Sequence, residues 1–485
     1  MKDKEMINEK PPKASFRSDF LWYALGSFAP LLLGFIKTPI FTRHFTKVDY
    51  GNLGLISISF TFIGMFLFSW IGSCIWRYYG RYKERNQLRL LYSNLVFLFT
   101  FSFVILAIVS VVWYENTNIE MVQSLVLFSF FQLLFSQLFQ YYMVVIRLLG
   151  KVRFYTAFQS IKAIIGLLLA LFLVFYLGMD ITALVLSLVL VDALSILVLF
   201  LLNPAKVRLA YADIDRRVLI ELLKYGSLGL ILNISLLTIS YSDRYVIALY
   251  HDIAYVGIYD QVYKISQLSV MALVTIFFNT INPKLLQVLE VNYEGSLAYL
   301  HKYIFGFILF GIPVVFYLSL FSYEMSTILL GKAFREGFII MPFVFTATFL
   351  HGLSNFFELR LKFANKMKKL GVIAICTALF NLLLNLIFVR MYGYQWAAYT
   401  TVISYGLMLL IFYFNDPKVL QGSLLQKKAI YALLGLLTIQ YFLYQFVVDK
   451  FGIELEIRIG IGLIFVSMFL VVFRKTLLKI EIPIN

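Results

Sequence analysis

The chain has 485 residues, of which 61% are hydrophobic and only 14% are charged. Soluble domains are about half apolar and about a quarter charged, so this composition excludes an ordinary water-soluble protein. The formal net charge of +16 does not indicate a nucleic-acid-binding domain, because the basic residues fall in short segments between apolar runs.

Apolar runs of membrane-spanning length recur along the whole chain. A bilayer core about 30 Å thick requires about 20 apolar helical residues, and these runs therefore predict an all-α polytopic membrane protein. We predict about fourteen transmembrane helices, at 20–41, 52–76, 91–113, 121–146, 154–177, 181–202, 225–249, 259–282, 303–323, 338–358, 370–389, 393–414, 429–448 and 456–473.

Lysine and arginine are concentrated in alternate segments between these spans. Segments 1–19, 77–90 and 203–224 are basic, whereas the intervening connections are short and carry few cations. Cytoplasmic loops retain Lys and Arg, so both termini are predicted to be cytoplasmic.

Four cations fall inside predicted spans: Lys37, Lys162, Arg244 and Lys264. A charge at the bilayer centre costs about 2.5–3.5 kcal/mol on insertion scales, so such residues usually face a bundle interior or a watery cavity. We expect the four to bind an anionic substrate in a cavity. Two simpler readings stay open: Lys37 could snorkel to the interface, and Lys264 could pair with Asp260 four residues earlier.

Arginines also recur at a spacing of four between the second and third spans. Arg77, Arg81, Arg85 and Arg89 predict a cationic stripe at the cytoplasmic mouth. Such a stripe could capture a substrate phosphate, with Arg77 as the candidate ligand, or it could anchor the protein to lipid headgroups.

Acidic and uncharged polar residues within the spans suggest further roles. Asp192 and Asp260 are candidates for coupling transport to a proton or sodium gradient, or they are paired structural groups. Thr377, Asn381 and Asn385 share one helical face, which predicts either a hydrated path or hydrogen bonding between helices.

Catalytic and metal-binding motifs were sought along the chain. No H-E-x-x-H, P-loop or G-x-S-x-G motif occurs, and the four histidines lack paired ligand spacing. We therefore expect no enzymatic activity, no catalytic residue, no metal and no bound cofactor.

Two segments carry a family resemblance. Segment 23–51 reads YALGSFAPLLLGFIKTPIFTRHFTKVDYG. Gly26 and Ser27 lie early in its first helix, and Tyr50 with Gly51 opens the second span. A second segment begins at Lys224 and continues through SDRYVIALYHDIAYVGIYDQVYKI at 242–265. Both segments resemble Wzx-type polysaccharide (O-antigen) flippases of the multidrug/oligosaccharidyl-lipid/polysaccharide (MOP) exporter superfamily.

The resemblance implies two pseudo-symmetric six-helix lobes, because the two segments begin spans one and seven. The expected organisation is a cytoplasmic segment 1–19, an N-lobe 20–202, a cytoplasmic linker 203–224, a C-lobe 225–414, and two extra helices with a cytoplasmic C-terminus in 415–485.

The resemblance also implies a function. Such a protein would move a polyprenyl-diphosphate-linked oligosaccharide from the cytoplasmic to the outer face of the bacterial inner membrane by alternating access, in O-antigen and lipopolysaccharide biosynthesis. Its expected partners are the lipid-linked oligosaccharide, membrane lipids and the glycan polymerase machinery, with no nucleic acid.

Two other functions are alternatives. A MATE-like drug or organic-cation antiporter would need acidic or aromatic groups at cavity depth, but the four in-span cations outnumber the interior acids Asp192, Asp243 and Asp260. A membrane-embedded glycan polymerase or ligase would need a sizeable external loop, and the predicted external connections are short.

Overall fold

The computed structural model describes residues 32–202, 213–291, 295–422, 427–451 and 455–479, and within these ranges the chain is helical, with no β-strand. The helices are α1 Leu32–Thr42, α2 Lys47–Glu84, α3 Leu88–Glu115, α4 Glu120–Leu148, α5 Arg153–Tyr176, α6 Thr182–Leu202, α7 Arg216–Tyr250, α8 Ile253–Val291, α9 Ser296–Leu320, α10 Ser322–Leu329, α11 Lys332–Phe363, α12 Met367–Tyr392, α13 Trp396–Asn415, α14 Lys418–Gln421, α15 Lys427–Phe451 and α16 Leu455–Lys479.

The predicted all-α polytopic class is confirmed. Among the described residues, twelve helices are long and apolar enough to cross a membrane, or thirteen when the bent α7 is counted as one span. The first predicted span, 20–41, begins outside the described residues, and α1 forms its end. The apolar runs therefore located the spans well.

Local sequence signals explain where several helices begin and end. Thr46 caps α2, because its Oγ1 accepts a hydrogen bond from the Asp49 backbone N–H at 3.2 Å while Asp49 Oδ2 accepts one from the Thr46 N–H at 2.9 Å. Asn86 reverses the chain between α2 and α3 with a left-handed φ of 54°, which asparagine tolerates. Gly393, with a φ of 101°, ends α12.

The helices form two groups. In the N-lobe (α1–α6), α4 packs on α2 and α6. In the C-lobe (α7–α13), α8 packs on α9 and α11, while α12 packs on α7 and α13. Extensive contact between the lobes runs between the Lys47–Gly64 part of α2 and α8.

Helix α7 connects the two lobes at the predicted cytoplasmic side. It begins at Arg216, so the end of the 203–224 segment is helical, and it bends by 45° between Arg216–Ser227 and Leu232–Tyr250. Its first part packs on the N-lobe: Arg81 Nη1 lies 2.7 Å from Glu221 Oε1. Its second part packs on α12 of the C-lobe.

The two C-terminal helices pack against the edge of the C-lobe. Tyr317 in α9 donates a hydrogen bond to Gln440 Oε1 in α15 at 2.9 Å. Glu324 in α10 accepts hydrogen bonds from Tyr444 at 3.2 Å and from Arg458 at 3.1 Å. These polar contacts fix α15 and α16 to α9 and α10, away from the contact between α2 and α8.

Candidate functional site

The two lobes meet closely at the end of α2 and α8 that the charge distribution predicts to be outer. A Cβ atom at Gly51 would overlap the Ile253 carbonyl oxygen, and one at Gly257 would overlap the Lys47 carbonyl oxygen. Only glycine allows two helix backbones to approach this closely. Gly51 and Gly257, both within the segments that carry the family resemblance, therefore close this side.

The C-lobe also holds the turn between α1 and α2. The Gly331 N–H donates to Thr42 Oγ1 at 2.9 Å, and Arg43 Nη2 donates to the Ile328 carbonyl at the same distance. Lys47 pairs with Glu336 at 3.3 Å. The predicted outer side is thus closed by backbone contact, hydrogen bonds and one exposed ion pair.

Lys37 and Lys264 come together where the lobes meet. Position 34 on α1 lies against Leu268 on α8, one turn from each lysine, and the charges of Lys37 and Lys264 are close enough to repel each other. Lys37 is half-buried and makes no ion pair with any residue in the described ranges. The Lys264 side chain is 44% exposed. The structure therefore places two lysines, one from each lobe, on facing segments of α1 and α8 where their charges interact.

Asp260 and Lys264 form the ion pair that their spacing predicted, with Lys264 Nζ 2.5 Å from Asp260 Oδ2. Asp260 is fully buried and packs against Gly54 of α2, where a Cβ atom would lie 3.3 Å from the same oxygen. Lys264 is therefore a partly neutralised cation at the edge of the interface.

Arg244 lies behind this pair and has no exposed surface. Its Nη1 donates to Asp243 Oδ1 at 2.7 Å, and its Nε lies 3.6 Å from Asp260 Oδ1. Tyr259 donates to the other oxygen of Asp243 at 2.6 Å. Arg244 is therefore enclosed within the C-lobe in this conformation.

Aromatic rings complete the surroundings of Arg244. The guanidinium carbon lies 4.1 Å from the centre of the Tyr263 ring, 4.9 Å from Tyr259 and 5.3 Å from Tyr241. Stacking of this kind stabilises a desolvated cation. The helical spacing of Tyr259 and Tyr263 in α8 was the one sequence signal for this cage, because Tyr241 comes from a different helix, α7.

Lys162 lies elsewhere, inside the N-lobe. It pairs with Asp192 of α6 and lies over the Phe139 ring of α4, 3.7 Å from its centre. Its side chain is 16% exposed and that of Asp192 is 3% exposed. The structure thus joins one predicted substrate ligand to one predicted coupling-ion residue.

The arginine stripe is interrupted. Arg77 and Arg81 lie on α2, but α2 ends at Glu84, and Arg89 is on the next helix. Arg81 pairs with Glu221, and Arg89 pairs with Asp213 at 2.8 Å. Arg77 is exposed on α2. Two of the four arginines therefore hold the beginning of α7, while Arg77 stays available at the predicted cytoplasmic mouth.

The polar stripe in α12 forms hydrogen bonds between helices. Asn381 Nδ2 donates to Ser404 Oγ of α13 at 3.1 Å, and Asn385 Nδ2 donates to Asn381 Oδ1 at 3.2 Å. Thr400 of α13 donates to Asn385 Oδ1. These groups are fully buried, which favours the packing interpretation of this stripe.

The structure buries two acids that the sequence inventory of interior acids did not include. Glu324 is 3% exposed and pairs with Arg458, while Glu358 is 5% exposed and pairs with Lys362 at 3.1 Å. Both lie at ends of apolar runs: Glu324 directly follows the predicted span 303–323, and Glu358 is the last residue of the predicted span 338–358. No group of three or more metal-ligating side chains occurs within the described ranges.

Comparison with known proteins identifies the fold and the family. The polysaccharide biosynthesis protein family matches residues 16–289. No curated protein sequence is significantly similar to the chain.

Three solved structures share the fold. The lipid II flippase MurJ in an inward closed conformation is 16% identical with a TM-score of 0.70, over 94% of this chain and 99% of that one. An inward-facing multidrug resistance MATE family transporter of the MOP superfamily is 13% identical with a TM-score of 0.53, over 83% of this chain and 93% of that one. A Vibrio cholerae MATE transporter is 14% identical with a TM-score of 0.55, over 83% of this chain and 99% of that one.

The family match covers more than half of the sequence, and the solved structures extend the likeness in fold to nearly all of it. The resemblance read from segments 23–51 and 242–265 is thereby confirmed in two respects: the family model matches the chain, and the solved structures share its fold. The chain belongs to the polysaccharide biosynthesis protein family and has the fold of the MOP superfamily transporters.

Proposed function

We propose that this protein is a flippase that moves a polyprenyl-diphosphate-linked oligosaccharide across the bacterial inner membrane, from the cytoplasmic to the outer face, by alternating access. The observation that carries the proposal is Lys37, a cation in a predicted span that pairs with no acid in the described ranges and lies near enough to Lys264 of the opposite lobe for the two charges to repel each other. An unpaired ammonium in such a place is costly unless an anion binds it.

The chemistry of the substrate matches this arrangement. A diphosphate cannot enter hydrocarbon without replacement of its hydration. Lys37 and Lys264 would provide two ammonium donors, while Arg77 on the same helix as Gly51 and Gly54 would meet the headgroup first at the cytoplasmic mouth. Close contact of α2 and α8 on the predicted outer side supports a cycle in which the substrate would enter from the cytoplasm.

The remaining predicted ligands have indirect roles in this proposal. Lys162 and Arg244 are paired with Asp192 and Asp243, respectively, and each is largely or fully buried. We assign the recognition of the diphosphate to Lys37, Lys264 and Arg77. Coupling to a proton or sodium gradient, through Asp192 or Asp260, and delivery of the glycan to a polymerase are part of the proposed cycle.

The test is reconstitution with a matched pair of lysine variants. Purified protein in liposomes is given a polyprenyl-diphosphate-linked oligosaccharide, and its appearance on the opposite leaflet is measured with a lectin or a glycosidase. Lys37→Ala should reduce the rate at least about tenfold, the value of one charge-assisted contact, and Lys37→Arg should retain most of it. Lys369→Ala, which removes an exposed lysine, is the control.

Two outcomes would refute the proposal. Wild-type liposomes that leave the lipid-linked oligosaccharide on its original leaflet would exclude this substrate. Proton-driven uptake of an organic cation that Lys37→Ala enhances would instead identify the antiporter alternative, because Lys37 repels cations.

A further inference from the structure

The two buried acids beside Arg244 and Lys264 are neutralised before any substrate arrives. Asp243 is paired with Arg244, and Asp260 with Lys264. Of the four cations inside predicted spans, Lys37 is the one that has no acid partner among the residues that the structure describes. A diphosphate carries more than one negative charge, so Lys264 must leave Asp260 if it is to bind the headgroup fully. Asp260 would then need another cation, because an unpaired buried carboxylate is strongly unfavourable.

The two oxygens of Asp260 are not equivalent. Oδ2 receives Lys264 at 2.5 Å and the side-chain amide of Gln261 at 3.2 Å. Oδ1 accepts no hydrogen bond from the described residues, although it is buried. It faces Arg244 Nε at 3.6 Å, beyond hydrogen-bonding distance, and this Nε likewise donates no hydrogen bond there.

Arg244 is held still while its Nε points to Asp260. Nη1 is fixed by Asp243 Oδ1 and by the Ser240 carbonyl, each at 2.7 Å. The centres of the Tyr259 and Tyr263 rings lie 4.9 and 4.1 Å from the guanidinium carbon of Arg244. A donor fixed in this way can donate a hydrogen bond to Asp260 Oδ1 after the carboxylate shifts by less than about 1 Å. Lys264, in contrast, is long, flexible and 44% exposed.

We propose that Asp260 exchanges partners during binding: it neutralises Lys264 in the empty protein and moves to Arg244 when a diphosphate headgroup takes Lys264. This inference rests on the proposed function. Arg244 is a positioning residue in this scheme, since it acts through Asp260 and never touches the substrate. Its burial and its tyrosine cage agree with that role.

Selectivity follows from the exchange. A neutral headgroup cannot compensate for the loss of the contact between Lys264 and Asp260, so it would leave Lys264 in place. An organic cation would be repelled by both lysines. A diphosphate gains Lys264 and simultaneously allows Asp260 to form its contact with Arg244, so the site favours anionic headgroups over lipids with uncharged ones.

A set of charge-matched variants tests the exchange. Asp243→Asn/Arg244→Gln removes one acid and one base, so the net charge is unchanged, and asparagine can still accept the Tyr259 hydrogen bond. The full chain in zwitterionic detergent is titrated with undecaprenyl diphosphate, with undecaprenol as the uncharged control, and binding is followed by native mass spectrometry.

The proposal predicts a rescue. The Asp243→Asn/Arg244→Gln variant should bind the diphosphate about tenfold more weakly than wild type, because Asp260 then has no second partner. Adding Asp260→Asn should restore binding, since Lys264 no longer needs to be released. The Asp260→Asn variant alone should bind the diphosphate at least as tightly as wild type. Adding Lys264→Ala to Asp260→Asn should weaken that binding, because the freed ammonium is then missing.

The outcomes separate this inference from the proposed function. If the wild-type protein does not prefer the diphosphate to undecaprenol, the proposed function and the partner exchange are both overturned. Wild-type protein that binds, combined with a folded triple variant that stays weak, overturns the exchange alone and assigns Arg244 a direct or structural role. If the double variant does not fold, the single Asp260→Asn variant decides: weaker binding than wild type refutes the exchange.

Discussion

Gly54 of α2 packs directly against the carboxylate of Asp260 in α8, and a Cβ atom at position 54 would lie only 3.3 Å from Oδ2. The residue that neutralises Lys264 therefore also lies in the contact between the two lobes. The same helix carries Gly257, which contacts the Lys47 carbonyl on the predicted outer side. A change in the ion-pair partner of Asp260 and a change in the contact between Gly257 and Lys47 would therefore involve the same segment of α8. The proposed substrate contact at Lys264 and the closure at Gly257 are thus on the same helix, two turns apart.

The first prediction concerns the glycine contact. Gly257→Ala places a methyl group where it overlaps the Lys47 carbonyl oxygen, and overpacking of this kind costs about 1–3 kcal/mol. The closed outer side should therefore lose population by several-fold or more. In a Cys74→Ser/Cys376→Ser background, a Leu53→Cys probe on α2, buried here at 9% exposure, should react faster with an impermeant maleimide.

Gly166→Ala is the matched control, because a Cβ atom there meets nothing within 4 Å. Equal labelling of the Leu53→Cys probe in the Gly257→Ala and Gly166→Ala variants would show that the glycine contact does not hold the outer side closed.

The second prediction concerns the ion pair at the outer closure. Lys47 and Glu336 are 35% and 54% exposed, so their pair contributes only about 0–1 kcal/mol. Lys47→Ala should therefore change transport little. A covalent link is different: Lys47→Cys with Glu336→Cys, joined by a short bifunctional maleimide, should abolish transport because the outer side can no longer open. Transport that persists in fully cross-linked protein would contradict this assignment of the gate.

The third prediction concerns Lys162 and Asp192 in the N-lobe. Removing one member of a buried ion pair costs about 3–5 kcal/mol, because the other charge stays buried. Lys162→Ala should lower thermal stability strongly, and Lys162→Met/Asp192→Leu should recover most of it. If the recovered double variant still exports glycan, the pair is structural. Loss of export in that stable protein would show that the charges themselves serve transport.

The fourth prediction concerns the attachment of the C-terminal helices. Glu324→Ala removes the carboxylate that accepts hydrogen bonds from Tyr444 and Arg458, at a cost of about 1–3 kcal/mol. Hydrogen exchange in α15 and α16 should accelerate while exchange in α2 and α8 stays unchanged. Glu115→Ala, at the exposed end of α3, provides the comparison. Identical exchange in both variants would show that apolar contacts alone hold the pair.

Hydropathy and charge spacing determined the architecture and part of the site. The span predicted at 91–113 is α3, Leu88–Glu115, and the one at 393–414 is α13, Trp396–Asn415. These agree because membrane insertion depends on the local apolar content of about 20 consecutive residues. The pair of Asp260 and Lys264 was predictable from a second local pattern, because residues four apart lie on the same face of a helix.

The tertiary structure decided the lengths of some helices and which residues distant in the sequence pair with each other. Hydropathy placed the seventh span at 225–249, but α7 begins at Arg216 because its polar first turns pack on the N-lobe through Glu221. Spacing of four suggested one arginine stripe, which the turn at Asn86 divides between two helices.

The sequence by itself determined that this is a many-helix membrane protein of the polysaccharide biosynthesis family with cations at membrane depth. Only the tertiary structure decided which cations are neutralised: Lys162 by Asp192, Arg244 by its neighbour Asp243, and Lys37 by no residue in the described ranges. The physical reason is that insertion energy depends on each helix alone, whereas the charge of a site depends on distances between helices that no local pattern encodes.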